Sequence, residues 1–362
     1  MKYHLNIIAA CIILMLTACH KEKVSKDGVL FPECSITNNV NEKTKLSPVF
    51  TKYRIVNLQT TDESLVGGRA NKIIKSSGRF YIKSDKEILI FGNDGQYLSK
   101  LSRFGMGPEE YKEIYDFDVV PDKDEIWIST IDGLYRYGAN SGEFKGKIKF
   151  DFYINAFKYI GKDQFIAKTP DDKVYKICDT DGNVLQSFFD KDLANSAYKP
   201  VNFIEINGLI LDQLLDSDDA VCYDPDNQEF SMIKIIPNNG KLTTAQLNRE
   251  YYERYGYRDQ LDKLYEAYIG IGAFRAIGDQ MLMTLQYPGA KWGLTVKKGS
   301  ECKTYTYYPV ENGSLINDIL PKADPRMFNT MICTESPDSF IFICISDDDE
   351  SNPLLLEVFS IQ

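Results

Sequence analysis

Short runs of β-forming residues separated by turn residues recur through most of this 362-residue chain, and they recur in groups. The first group has strand-like segments at 71–75, 79–82 and 87–91, and a turn at Gly92-Asn-Asp-Gly95 leads into a fourth at 96–98. The same order returns at 115–119, 125–128, 133–137 and 144, then at 156–160, 164–167, 173–177 and 184–185. A fourth group occupies 202–206, 209–211, 220–223 and 230, and a fifth 274–277, 280–283, 292–296 and 303–307. The sixth reads 329–333, 339–343 and 354–359. Gly, Asn and Asp fall where tight hairpins need them, as at Asp179-Thr-Asp-Gly182 and Asn207-Gly208.

One twisted sheet cannot bury both faces alone, whereas a closed ring of sheets buries nearly all of them. Six groups at a spacing of roughly 40 residues therefore predict an all-β chain folded as a six-bladed β-propeller over residues 49–362. Such a ring closes by combining strands from both chain ends, and Tyr53-Arg-Ile-Val-Asn-Leu58 is a spare strand available for the last blade. A pair of β-sandwiches is the competing architecture, but no linker divides the array. Between the fourth and fifth groups the period changes. Leu261, Leu264, Tyr265 and Tyr268 follow helical spacing, and Thr243 with Gln246 resembles a capping box. A short helical insertion over about 243–269, packed against the propeller, is expected there.

The N-terminus reads as an address. Lys2 precedes a continuous apolar stretch at 7–16, which is far shorter than the roughly 20 residues a membrane span requires. It ends Leu16-Thr17-Ala18-Cys19, which resembles a bacterial lipobox. The resemblance implies a signal peptide over 1–18, cleavage before Cys19, and acyl chains on the Cys19 thiol that anchor the protein in a lipid membrane. Residues 19–48 are then the lipidated N-terminus and tether. The expected location is the cell envelope, as an outer-membrane lipoprotein.

Composition removes several chemistries. The only histidines, His4 and His20, lie outside the strand array, so imidazole bases, Ser-His-Asp catalysis and histidine metal ligands are excluded. A formal net charge of −10 repels phosphate backbones, which argues against nucleic acid as a partner. Cys34, Cys178, Cys222, Cys302, Cys333 and Cys344 form no Cys-x-x-Cys pair and read as buried free thiols, with disulfides as the alternative. The acidic runs at 216–219 and 347–350 lack a calcium-loop pattern and read as solvated hairpin tips. No metal site and no cofactor is expected, calcium being the sole alternative.

Three passages resemble the six-bladed β-propeller lipoproteins of Bacteroidetes, related in architecture to NHL-type and TolB-type propellers. They are Ile90-Phe-Gly-Asn-Asp-Gly-Gln-Tyr-Leu98 running into Arg103-Phe-Gly-Met-Gly-Pro-Glu-Glu-Tyr111, then Ile114-Tyr-Asp-Phe-Asp-Val119, and the ending Ser351-Asn-Pro-Leu-Leu355. Glu109 stands where that family more often has glycine. The resemblance implies fold and location and assigns no chemistry.

Two groups of residues are candidates for ligand binding. In the first, Gly105, Gly107 and Pro108 set a turn that leaves Arg103, Glu109, Glu110 and Tyr111 to meet a neighbour or a ligand; the alternative is an ion pair between Arg103 and a glutamate locking two blades. In the second, Tyr287 and Trp292 flank a turn and offer aromatic faces to a sugar ring, unless they are simply packed. The expected function is a membrane-anchored binding or interaction module for a glycan, a peptide or an envelope protein. A carboxylate- or calcium-dependent hydrolase of lactonase type, working at the central channel, is the alternative. Replacing Cys19 by Ser is expected to move the protein from the detergent phase to the aqueous phase in a phase-partition assay. Unchanged partitioning would remove the lipid anchor.

Overall fold

The computed structural model describes residues 28–35, 39–66, 70, 72–190, 203–214, 219–237, 269–289, 291–320, 324–344 and 351–362. The stretch read as a signal peptide, Cys19, most of the segment expected to form a helical insertion and most of the two acidic runs lie outside the described residues.

Six antiparallel sheets are arranged as the blades of a propeller, as the strand groups predict. Blade one is built from Lys72–Ser76, Arg79–Ser84, Glu87–Gly92 and Tyr97–Leu101, in that spatial order. Blade two runs from Asp116–Val120 to Phe144–Ile148, blade three from Ala156–Gly161 to Val184–Asp190 and blade four from Phe203–Ile206 to Glu229–Lys234. Blade five runs from Gly270–Ile277 to Glu301–Tyr308. The first strand of each blade lies nearest the central channel. Six hydrophobic clusters fill the spaces between neighbouring blades, one per junction. Trp127 of blade two, for example, is fully buried against Phe165 of blade three.

Blade six closes the ring. Lys52–Asn57 pairs antiparallel with Leu354–Ser360, which pairs with Phe340–Cys344. The spare N-terminal strand therefore ends as the outer strand of the last blade. Gly95, at φ +87°, lets the last turn of blade one sit against Asn57, where a Cβ would run into the Asn57 carbonyl. Residues 329–333, read as a strand, belong instead to a 3-10 helix, Pro325–Cys333. The two residues after it, Thr334–Glu335, pair in parallel with the inner strand of blade one. Cα pairing of Thr334 with Ile73 places Glu335 beside the channel.

The segment read as a tether is docked from Gly28 onward. Val29 bridges to Lys234 on the outer strand of blade four, and the Phe31 N–H donates to the Ile235 carbonyl at 2.9 Å. Asn39–Val40 then adds a parallel strand to the outer edge of blade five, and Thr44–Lys45 pairs with Leu315–Ile316. Leu46, Val49 and Phe50 are fully buried between blades five and six. This strap covers sheet edges that would otherwise offer unpaired backbone groups. It is pinned by a disulfide between Cys34 and Cys302, with Cα atoms 5.4 Å apart. The free-thiol reading is thus corrected for these two cysteines: sequence spacing could not reveal that a strap brings Cys34 onto blade five. Cys178, Cys222 and Cys344 are buried free thiols, and Cys333 is half-buried and free.

Replacing Cys302 by Ala is expected to lower unfolding free energy by about 2–5 kcal/mol in denaturant titrations. Equal stability of the variant and the wild type would mean that the bond contributes nothing.

Candidate functional site

The inner strands of blades one to five and the Thr334–Glu335 strand converge on a cavity of about 420 Å³ at one mouth of the channel. Each of these strands contributes a charged residue to the lining, and the sign alternates around the ring. The series is Lys75, Asp118, Lys158, Glu205 and Arg275 from blades one to five in order, then Glu335 from the Thr334–Glu335 strand. Apolar residues, among them Ile74, Val119, Ile204 and Phe340, fill the intervals.

Below the mouth the charges form a chain of ion pairs across blades one to three and the Thr334–Glu335 strand. Lys158 Nζ lies 3.1 Å from Asp118 Oδ1 and 2.9 Å from Glu335 Oε2. Lys72 Nζ lies 3.0 Å from Asp116 Oδ1 and 3.1 Å from Glu335 Oε1, although the latter contact lacks hydrogen-bond geometry. The second oxygens of Asp116 and Asp118 accept N–H bonds from Phe157 at 3.0 Å and Tyr159 at 2.9 Å, so two carboxylates of blade two hold the inner strand of blade three. Burial alone would raise the Glu335 carboxyl, but the Lys158 and Lys72 ammonium groups outweigh it and hold it down at about 2. Burial, opposed by Lys72, raises the Asp116 carboxyl instead.

The other two cations of the mouth are equally occupied. Arg275 donates to three backbone carbonyls, from Nε to Thr334 at 2.9 Å, from Nη1 to Phe274 at 2.8 Å and from Nη2 to Ile332 at 2.7 Å. Burial pulls its guanidinium down to about 10. Lys75 lies 2.8 Å from Asp338 Oδ1 and 2.6 Å from Oε1 of the fully buried Glu357. Glu357 also accepts from Arg54 Nε and from Ser339 Oγ, both at 2.6 Å, which joins blades six and one.

None of the six binding candidates chosen from sequence lines this cavity. Arg103 donates from Nη2 to the Gly142 carbonyl at 3.3 Å, linking the blade connection to blade two through a carbonyl rather than a glutamate. Glu110 folds back to accept from the Gly107 N–H at 2.8 Å. The Glu109 carbonyl accepts from the Tyr137 hydroxyl at 2.8 Å. Tyr111 is fully buried, packed edge-on to Tyr137, and its hydroxyl donates to the Lys86 carbonyl at 2.9 Å. Burial pushes that hydroxyl up to about 12. The loop is a clamp between blades one and two, with Arg103, Phe104, Met106, Glu109 and Glu110 exposed.

Tyr287 and Trp292 lie at the hairpin joining the second and third strands of blade five, at the opposite end of those strands from Gly278, which lines the cavity. Tyr287 packs between blades four and five, and Trp292 against the cluster between blades five and six. Packing, the alternative open at the sequence level, is what both side chains do. The residues that do converge were visible only as charges interrupting apolar inner strands, such as Asp116-Phe-Asp118, a pattern that does not say which charges meet. Among the described residues no group of His, Cys, Asp and Glu is arranged to hold a metal ion.

Fold and site together define a six-bladed β-propeller with a charged channel mouth. The chain belongs to the DUF4934 family, a domain of unknown function, whose model matches residues 31–348. It is similar in structure to a Bacteroides fragilis protein named as a candidate for export, with a TM-score of 0.66 and 13% identity over 90% of this chain and 99% of that one. It is also similar to a member of the DUF4221 family from Bacteroides vulgatus, with a TM-score of 0.54 and 13% identity over 85% of this chain and 97% of that one. At such identities the likeness concerns the fold. No curated protein matches the sequence. Among the described residues, no helix is long and apolar enough to cross a membrane.

Replacing Glu335 by Gln is expected to cost about 3–5 kcal/mol in denaturant unfolding, because Lys72 and Lys158 each lose a buried counter-charge. The sign of the pH effect follows from the lowered carboxyl. Its contribution is complete above the ordinary value of 4.5 and is lost as pH falls through about 2. The wild type should therefore lose stability across that window more steeply than the variant. Parallel acid limbs would show that Glu335 is not the group responsible.

Proposed function

We propose that the chain is a binding module of the cell envelope, anchored through acyl chains on Cys19, that docks a partner protein at the channel mouth. The observation that carries this reading is the cavity itself: the inner strands of five blades and the Thr334–Glu335 strand each supply a charged group to it, and apolar residues fill the spaces between. Pockets that combine apolar walls with a few fixed polar groups are the usual form of a recognition site. The Cys34–Cys302 disulfide supports an exported location, since such bonds persist in oxidising compartments.

The hydrolase alternative called for carboxylates within hydrogen-bonding reach of one another at the channel mouth. Asp118 and Glu335 instead share an ammonium group, Lys158, which is the common ion-pair partner of both. The packing of Tyr287 and Trp292 likewise moves support from a glycan to a peptide surface.

A photo-crosslinking residue placed at Asn207, on the cavity wall, is expected to trap a defined protein in intact cells, while the same residue at Arg103 does not. Trapping from position 103 alone, or binding confined to oligosaccharides on an array, would overturn the reading.

A further inference from the structure

The signs of the lining charges alternate, but their accessibility does not. Each cation of the mouth is already matched inside the protein. Lys75 touches two carboxylates, Lys158 touches two, and Arg275 is spent on three carbonyls. All three are largely buried, with side-chain exposures of 9% for Lys75 and 15% for Lys158, and a residue exposure of 9% for Arg275. Asp118 is 1% exposed and Glu335 13%, and both are held by Lys158.

Glu205 is the exception. It stands exposed on the inner strand of blade four, lines the cavity, and makes no hydrogen bond or ion pair among the described residues. Asp338, next to the lining residues Pro337 and Ser339, keeps 58% of its side chain in solvent. The charge a ligand meets at the mouth is therefore negative, although the six lining charges sum to zero.

We propose that the channel mouth takes a cationic side chain of the partner, a lysine ammonium or an arginine guanidinium, paired with Glu205. The aliphatic stem of such a side chain would lie against Ile204, Ile74 and Val119, and its charged head would remain near water at the rim. Among the described residues, a carboxylate or phosphate would find no free cation there, because Lys75, Lys158 and Arg275 would first have to leave buried partners. This inference deepens the proposed function and rests on the channel mouth being the binding surface.

The test uses full-length protein carrying an environment-sensitive fluorophore on a cysteine replacing Asn207, titrated with capped Lys-Lys-Lys, capped Glu-Glu-Glu and capped Ser-Ser-Ser. The lysine peptide alone is expected to change the signal, with an affinity that falls as salt rises. Glu205→Gln, an exposed and unpaired position, should weaken that affinity by roughly three- to fivefold without moving the unfolding midpoint. A response to the glutamate or serine peptide with none to the lysine peptide would overturn the cation assignment while keeping the mouth as a binding site. Lysine binding unchanged by Glu205→Gln would also overturn it. No response to any peptide would remove both readings.

Discussion

Glu335 holds two lysines of the channel at once, with Lys158 on one oxygen and Lys72 beside the other. Those lysines carry the contact on to Asp118 and Asp116, so one carboxylate on the short strand that leads into blade six is connected to blades one, two and three. Ion pairs this deep pay a desolvation cost that apolar residues would avoid. What they provide is direction. Hydrophobic clusters between blades tolerate small rotations, whereas a carboxylate that must satisfy two ammonium groups and a neighbouring strand's N–H groups does not. The position of Glu335 depends in turn on the two-residue strand that pairs it with blade one and on the three carbonyl bonds of Arg275 around it.

That network also decides what the channel can offer to a ligand. A charge engaged in holding blades is not free for recognition, and most of the charged residues at the mouth are engaged. The mouth is chemically simpler than its lining suggests: an apolar-walled cavity with an uncommitted carboxylate at Glu205. Alternating signs are thus a feature of assembly, and the residual negative character is a by-product of which carboxylate was left out.

Ring closure and the strap divide the remaining work at the periphery. The Lys52–Asn57 strand closes blade six, and the residues before it run along the outer edges of blades four and five. A disulfide pins the strap where it crosses blade five. Part of the outer edges of blades four and five is therefore covered by the chain's own N-terminal segment.

The strand groups, their turns, the number of blades and the spare closing strand were all legible in the sequence, because each rests on local periodicity and turn chemistry. The 3-10 helix at Pro325–Cys333 was not, since its apolar residues fit a strand as well as a helix packed at a blade junction. Nor were the disulfide, the docked strap or the channel site, which depend on residues far apart in the chain. Tyr111 shows the same divide: a conspicuous loop tyrosine turns out to be a buried clamp because Tyr137 and the Lys86 carbonyl lie next to it. Sequence alone favoured a ring of six sheets over a pair of β-sandwiches, since the strand groups repeat with no linker dividing them and a closed ring buries both apolar faces of each sheet. Only the tertiary structure decided which charges are spent and which remain, because charge partnership is a property of distances between blades.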